Sequence, residues 1–232
     1  QFFLQNFLLR LPPLPPTTSP APFPDIVREF QSVIGYEVKR QCEERNIDIG
    51  AMVACVGGGS NSIGTFVPFL SDPVEIYGVE PLGKGPAIGD NAASVNFGRE
   101  GVMHGFKSIA LFNENGEPAP AYSVASGLDY PAVGPEHAYL HDMNRVNYVT
   151  IDDDEAMEAL FLLSRTEGII PAIESSHALA YAIKIAREGG KPCSCMVTLS
   201  GRGDKDLDYV VEHYGYGDEF LEKMAEKRSH QA

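Results

Sequence analysis

A chain of 232 residues with 44% hydrophobic content is long enough to bury one substantial core, and one large domain is the expectation. Its 32 acidic side chains against 18 basic ones give a formal charge of −14, which opposes docking on a phosphate backbone and argues against nucleic acid as a partner. Cys42, Cys55, Cys193 and Cys195 form neither a Cys-x-x-Cys pair nor a disulfide framework; they read as thiols of a reducing compartment, the cytoplasm, with Cys55 and Cys195 in buried strand-like runs.

In chain order, residues 1–24 open with an apolar run interrupted by Arg10 and continue through Pro12, Pro13, Pro15, Pro16, Pro20, Pro22 and Pro24. The apolar part is about half the roughly 20 residues of a membrane span and lacks the basic start and cleavage site of a signal peptide, so no membrane association is read here. Proline removes backbone donors, and the segment is predicted to be an irregular leader ahead of a domain over 25–232. From Asp25, a potential N-cap, Ile26, Val27, Phe30, Val33, Ile34 and Val38 recur at helical spacing and predict one packed amphipathic helix ending near Lys39 and Arg40. Residues 51–56 predict a buried strand, 62–70 a helix and 74–80 a second strand, an order that implies a parallel pair with a right-handed crossover.

Residues 106–112 and 121–126 read as strands about the turn Asn113-Glu114-Asn115-Gly116. His137 and His141 share a helix face four residues apart, but no third ligand lies near in sequence, and a packed or solvated pair is preferred to a zinc site. Residues 145–151 predict a strand, followed by a helix with Asp152 and Glu155 as its capping box, Met157, Leu160, Phe161 and Leu163 inward, and Gly168 at its end. A helix over 175–187 and a strand over 195–199 complete an alternation that predicts an α/β fold, a mostly parallel sheet flanked by helices.

Chemistry concentrates in Val53-Ala54-Cys55-Val56-Gly57-Gly58-Gly59-Ser60-Asn61, where an apolar strand empties into a glycine loop that opens a helix. Three successive glycines let main-chain N–H groups converge on one phosphate at the positive helix end, with Ser60 and Asn61 as side-chain donors. The loop lacks the Lys-Ser/Thr pair of a Walker A motif and the Gly-x-Gly-x-x-Gly spacing, which argues against nucleoside triphosphates and dinucleotides. A small monophosphate ester fits better, and pyridoxal phosphate is the commonest one built into enzymes. The glycines alone leave open a tight turn without ligand.

Three further segments decide the matter: Ser126-Gly127-Leu128-Asp129-Tyr130-Pro131 with Gly134-Pro135-Glu136-His137-Ala138-Tyr139-Leu140; Thr166 to Ala178, reading TEGIIPAIESSHA; and Leu199-Ser200-Gly201-Arg202-Gly203-Asp204-Lys205-Asp206. Together with the glycine loop, and in this order, they closely resemble the tryptophan synthase beta chain family from about Pro22 to Tyr214. The resemblance implies a fold-type II pyridoxal-phosphate enzyme that condenses L-serine with indole to L-tryptophan and water by β-replacement. It makes Gly57, Gly58, Gly59, Ser60 and Asn61 the phosphate cup and Ser200 the hydroxyl on the pyridine nitrogen. A neutral partner there does not hold a proton on the ring and favours β-elimination over transamination. It makes Glu174 the carboxylate beside the ring, with an N-cap of the helix from Ser175 as the alternative, and Asp129 the mobile acid that meets substrate, freed by Gly127. Met103 and His104 would line the indole tunnel. Main-chain carbonyls around Gly57, Leu128 and Tyr130 would hold a monovalent cation, Na+ or K+. The implied partners are an alpha chain and a second beta chain in an α2β2 tetramer.

The family's Schiff-base lysine, in a His-Lys-x-Asn setting, its catalytic glutamate and its substrate-carboxylate loop lie upstream of everything matched here. Lys84, in a glycine loop, and Lys205, beside Asp206, are not assigned that role. The expectation is a C-terminal portion that does not make tryptophan alone, with residues 1–24 outside the family sequence. Two alternatives stand beside it: a noncatalytic, lysine-less module that keeps the phosphate cup and pairs with other chains, and another fold-type II lyase such as a serine dehydratase or cysteine synthase, against which GLDYP and GRGDKD argue.

Overall fold

The computed structural model describes residues 17–187 and 194–229; most of the expected leader, and Cys193, lie outside them. Two helices, α1 (Phe23–Gln31) and α2 (Val33–Arg45), lead into β1 (Ile49–Cys55), the glycine loop and α3 (Ser60–Phe66). Next come β2 (Glu75–Gly83), a short α4 (Ser94–Phe97), and the pair β3 (Arg99–Met103) and β4 (Phe106–Ala110). The chain continues through α5 (Pro135–Asp142), β5 (Asn147–Asp152), α6 (Asp153–Glu167), α7 (Ile173–Arg187), β6 (Ser194–Val197), α8 (Leu207–Tyr214) and α9 (Asp218–Ser229).

Among the described residues, β5-β2-β1-β6 form a four-stranded sheet, parallel throughout, and β3 and β4 an antiparallel pair. β1 is apolar without a break because both its faces are covered. Val53 and Cys55 face α6 and α7, packing in one cluster with Met157, Leu160 and Ile173; Met52 and Ala54 face α3, with Ile63 and Phe66. The chain leaves β1 for β2 on one side and returns as β6 on the other. That reversal opens a crevice at the carboxyl ends of β1 and β6, where ligands of open α/β sheets bind. The glycine loop and Ser200 follow those two strands directly.

The capping box forms as expected: Asp152 accepts from the Glu155 amide and Glu155 from the Asp152 amide, while Gly168 ends α6 with φ 68°. Other expectations need correction. The first helix is two, with Ser32 at the junction, and Phe30 and Val33 are 64% and 62% exposed. Val27 is buried and Val38 packs on the core, but the closest approach is through glycines: a Cβ on Gly35 would lie 2.5 Å from the Thr65 carbonyl oxygen, and one on Gly64 would lie 2.4 Å from Gln31. Backbones this close fix the rotation of the helices and leave Phe30 and Val33 outward. Residues 121–126 form no strand. The hairpin lies earlier, turning at His104 and Gly105, both at positive φ, as two-residue hairpins require. The Asn113–Gly116 turn does form, closed by a single bridge from Phe112 to Pro118, but Pro118 and Pro120 interrupt the donors of any returning strand. Cys195 is exposed on β6, the outer strand, whereas Cys55 is buried. No helix among the described residues is long and apolar enough to cross a membrane.

Arg145, just before β5, donates to four carbonyls of the segment that carries the chain from α3 to β2: Leu70 at 2.8 Å, Phe69 at 2.9 Å, Asp72 at 3.0 Å and Val74 at 3.1 Å. A planar fork of N–H groups suits this task and a lysine ammonium does not. Arg145→Ala is expected to lower stability in urea unfolding by about 2–3 kcal/mol, and Arg145→Lys to recover less than half of that loss. Equal stabilities for Lys and Arg would refute this account of the connection.

Candidate functional site

The glycine loop is shaped by what surrounds each residue. Gly59 holds φ 94°, and a Cβ there would lie 2.2 Å from the His137 ring, so only glycine fits. A Cβ on Gly57 would meet the Gly127 carbonyl at 3.0 Å, whereas one on Gly58 would meet nothing nearer than 3.4 Å. The carbonyls of the loop are drawn into the protein. Gly58 O accepts from the Gly134 amide at 3.1 Å and from the Thr17 hydroxyl; Gly59 O receives the Ile63 amide at 3.0 Å and lies 2.9 Å from His137 Nε2. In a planar trans peptide the next N–H points opposite to the carbonyl. The amides of Gly59 and Ser60 therefore face away from these partners. Asn61 donates to the Cys55 carbonyl at 3.1 Å, tying the loop to the end of β1, and the Ser60 hydroxyl lies 3.4 Å from that of Thr17.

Two other walls meet the loop. The Gly127 amide donates to Glu174 Oε1 at 2.9 Å, and a Cβ on Gly127 would sit 2.7 Å from that oxygen. Glu174 lies inside the first turn of α7, not at the N-cap position before it, and the first amide of the helix, that of Ile173, is taken by Asp206 Oδ2 at 3.1 Å. Lys205 joins the two acids, with Nζ 2.9 and 3.1 Å from Glu174 and 2.7 and 2.9 Å from Asp206. Burial raises the Glu174 carboxyl, but hydrogen bonds from Lys205 and from main-chain amides outweigh it and leave the pKa below the usual range. The Ser200 hydroxyl stands 3.7 Å from Cys55 Sγ, and burial pushes that thiol up to about 11, so it keeps its proton.

The glycine loop, Gly127, Leu128, Glu174 and Ser200 line one cleft of about 510 Å³, which Gln31 and Ile34 help to wall at the α1–α2 junction. Met103, His104, Asp129 and Tyr130 are not among the residues lining it. Met103 is buried with Phe106, Ala110 and Ala132; His104, at the hairpin tip, has Nδ1 2.8 Å from the Tyr130 hydroxyl; Asp129 is exposed beside Leu128. Thr17, Gln31, Ile34 and the Lys205 pairing with Glu174 escaped the sequence, since no local pattern joins residues so far apart. His137 and His141 both pack edge-on against Tyr148, and no group of three metal-ligating side chains exists among the described residues.

The cleft lies at the switch point of the sheet, with outward loop amides at one end and a neutral hydroxyl at another. The chain belongs to the pyridoxal-phosphate dependent enzyme family, whose profile matches residues 14–201. It is 63% identical over 203 residues to the tryptophan synthase beta chain of Clostridium botulinum strain Alaska E43, covering 87% of this chain and 50% of that protein. Tryptophan synthase beta chain 1 of Wolinella succinogenes is 59% identical over 86% of this chain and 50% of its own length. The chain thus spans about half the length of the curated relatives it matches. A crystal structure of a T.th. threonine deaminase superposes with a TM-score of 0.55 at 27% identity, over 74% of this chain and 50% of that one.

Burial pushes His137 down to about 4 against the opposing pull of the Gly59 carbonyl, whereas an unfolded histidine titrates near 6.5. A folded pKa below the unfolded one gives stability that is present above pH 6.5 and lost as pH falls toward 4; His177, also lowered by burial, acts in the same direction. The His137 contribution is on the order of 3 kcal/mol. Urea midpoints are expected to fall between pH 6.5 and 4, and less steeply in His137→Gln. A variant as acid-sensitive as the native chain would contradict the assignment.

Proposed function

We propose that the cleft holds pyridoxal phosphate, with the ester on the Gly59 and Ser60 amides and the ring reaching Ser200, and that the chain serves the β-replacement joining L-serine to indole. The observation that carries the reading is the inward turn of the Gly58 and Gly59 carbonyls, which leaves two consecutive amides free to converge on an anion across the cleft from a neutral hydroxyl. When bound, the group supplies an electron sink for loss of an amino acid's β-substituent. Ser200 would pair with the ring nitrogen without placing a charge beside it. Glu174 stays ionised, its charge offset by Lys205, and fixes the Gly127 loop from which Asp129 would reach substrate. Met103 and His104 would sit along the path of indole.

The finer features belong to the same proposal. A monovalent cation would take main-chain carbonyls near Gly57, Leu128 and Tyr130; Leu128 O already accepts the Tyr130 amide at 2.9 Å and keeps a second lone pair. An alpha chain and a second beta chain are the proposed partners, as the names of the relatives suggest, and the reduced thiols of Cys42 and Cys55 support a cytoplasmic setting. Among the described residues no lysine lines the cleft: Lys205 is held by two carboxylates, and Lys84 lies over the Tyr122 ring at 3.9 Å. This chain is therefore expected to retain the cofactor without a covalent bond and not to make tryptophan by itself. The same observation favours, as a second reading, a module that binds the ester and assembles without catalysing.

The test is a titration of the 232-residue chain with pyridoxal phosphate. Binding is expected to reverse on dialysis, and borohydride is expected to leave no labelled lysine. A Cβ on Gly58 would meet nothing nearer than Thr18 at 3.4 Å, so Gly58→Ala is expected to bind as the native chain does, whereas Gly58→Asp, which puts a negative charge on the loop, is expected to weaken binding at least tenfold, about 1.4 kcal/mol. Ser200→Ala is expected to shift the absorption band at nearly unchanged stability. A permanently labelled lysine, or normal retention by Gly58→Asp, would overturn the reading.

A further inference from the structure

We infer that His137 is the positioning residue that gives the glycine loop its grip on phosphate; the inference rests on the reading of that loop as the seat of the ester. His137 stands on α5, completely buried, 78 residues away in sequence from the loop it touches. Its Nε2 lies 2.9 Å from Gly59 O and 3.1 Å from Ser62 Oγ, and its Nδ1 lies 2.7 Å from the Tyr148 hydroxyl. A carbonyl oxygen only accepts, so the Gly59 contact is made by Nε2–H; in a neutral ring Nδ1 is then bare and accepts from the Tyr148 hydroxyl, which also lies 3.1 Å from the His137 carbonyl. Gly59 O thus selects the tautomer, and Tyr148 seats the ring at its other nitrogen.

The consequence falls on the next amide. Gly59 O gathers donors from His137, Ser62 at 3.1 Å and Ile63 at 3.0 Å. Peptide planarity sends the Ser60 N–H the opposite way. The same ring occupies the space of a residue-59 side chain, 2.2 Å from an added Cβ, so it both demands the glycine and orients its peptide. Without the imidazole the Gly59–Ser60 peptide loses one of the donors that hold it and turns more freely, and an anion must then order the amide at the expense of affinity. The ring makes no contact with the Ser200 end of the cleft, so the effect is confined to the phosphate.

The experiment compares pyridoxal phosphate with pyridoxal, which lacks the ester, on the full 232-residue chain. His137→Leu is expected to bind pyridoxal phosphate at least tenfold more weakly and pyridoxal within threefold of the native chain. His137→Gln, whose amide can still donate to Gly59 O, is expected to restore most of the preference, and Tyr148→Phe to lose about threefold for the ester alone. Equal losses for both ligands would mark His137 as merely structural and overturn the inference, as would a His137→Leu chain with native discrimination. If that chain does not fold, Tyr148→Phe and His137→Gln decide by the same criterion. A native chain that binds both ligands equally would instead refute the phosphate seat itself, and this inference with it.

Discussion

The cleft depends on the direction of two carbonyls. Gly58 and Gly59 carry no side chains to fix their peptides, and an unsupported glycine loop would sample many orientations at nearly equal energy. Partners from two distant parts of the chain remove that freedom: Thr17 from the amino-terminal side, and Gly134 and His137 from the start of α5. Everything the loop can do for an anion follows from amides held outward before the anion arrives. Preorganisation of this kind matters more than the number of donors, because ordering the loop at the moment of binding would draw on the same free energy that binding releases.

The sheet supplies the other half of the geometry. The switch between β1 and β6 places the glycine loop and Ser200 at adjacent strand ends, and α7 brings Glu174 to the same opening. The pairing of Glu174 with Lys205, and of Lys205 with Asp206, stitches the segment after β6 to the start of α7 and, through the Gly127 amide, to the loop that carries Asp129. These groups are partly buried, where ion pairs are screened less than at a free surface. On its far side the same loop is held by the Tyr130 hydroxyl, 2.8 Å from His104 Nδ1, and by the Pro131 carbonyl, which accepts the Leu111 amide at 2.7 Å.

Much of this was legible in the sequence because it is local. The unbroken apolar run of β1, the glycines after it, and the Asp152 and Glu155 capping box each announce themselves within a few residues, and each appears where expected. What escaped depends on contacts between distant segments. The glycine approach of α2 to α3 overrode an apolar periodicity that put Phe30 and Val33 inward, and two prolines ended a strand that alternation alone allowed. His137 read as half of a packed pair; nothing in its sequence neighbourhood reveals that its ring nitrogen meets the Gly59 carbonyl. The motifs singled out the glycine loop, Glu174 and Ser200, and the fold brings those residues to one cleft.

The most direct measurement is the amide spectrum of the chain, labelled with ¹⁵N at glycine and serine, during titration with inorganic phosphate. The account requires saturable shifts that are largest at Gly59 and Ser60, with Gly201 and Gly168 unmoved. Shifts centred on other glycines, or none at Gly59 and Ser60 while pyridoxal phosphate still binds, would contradict it.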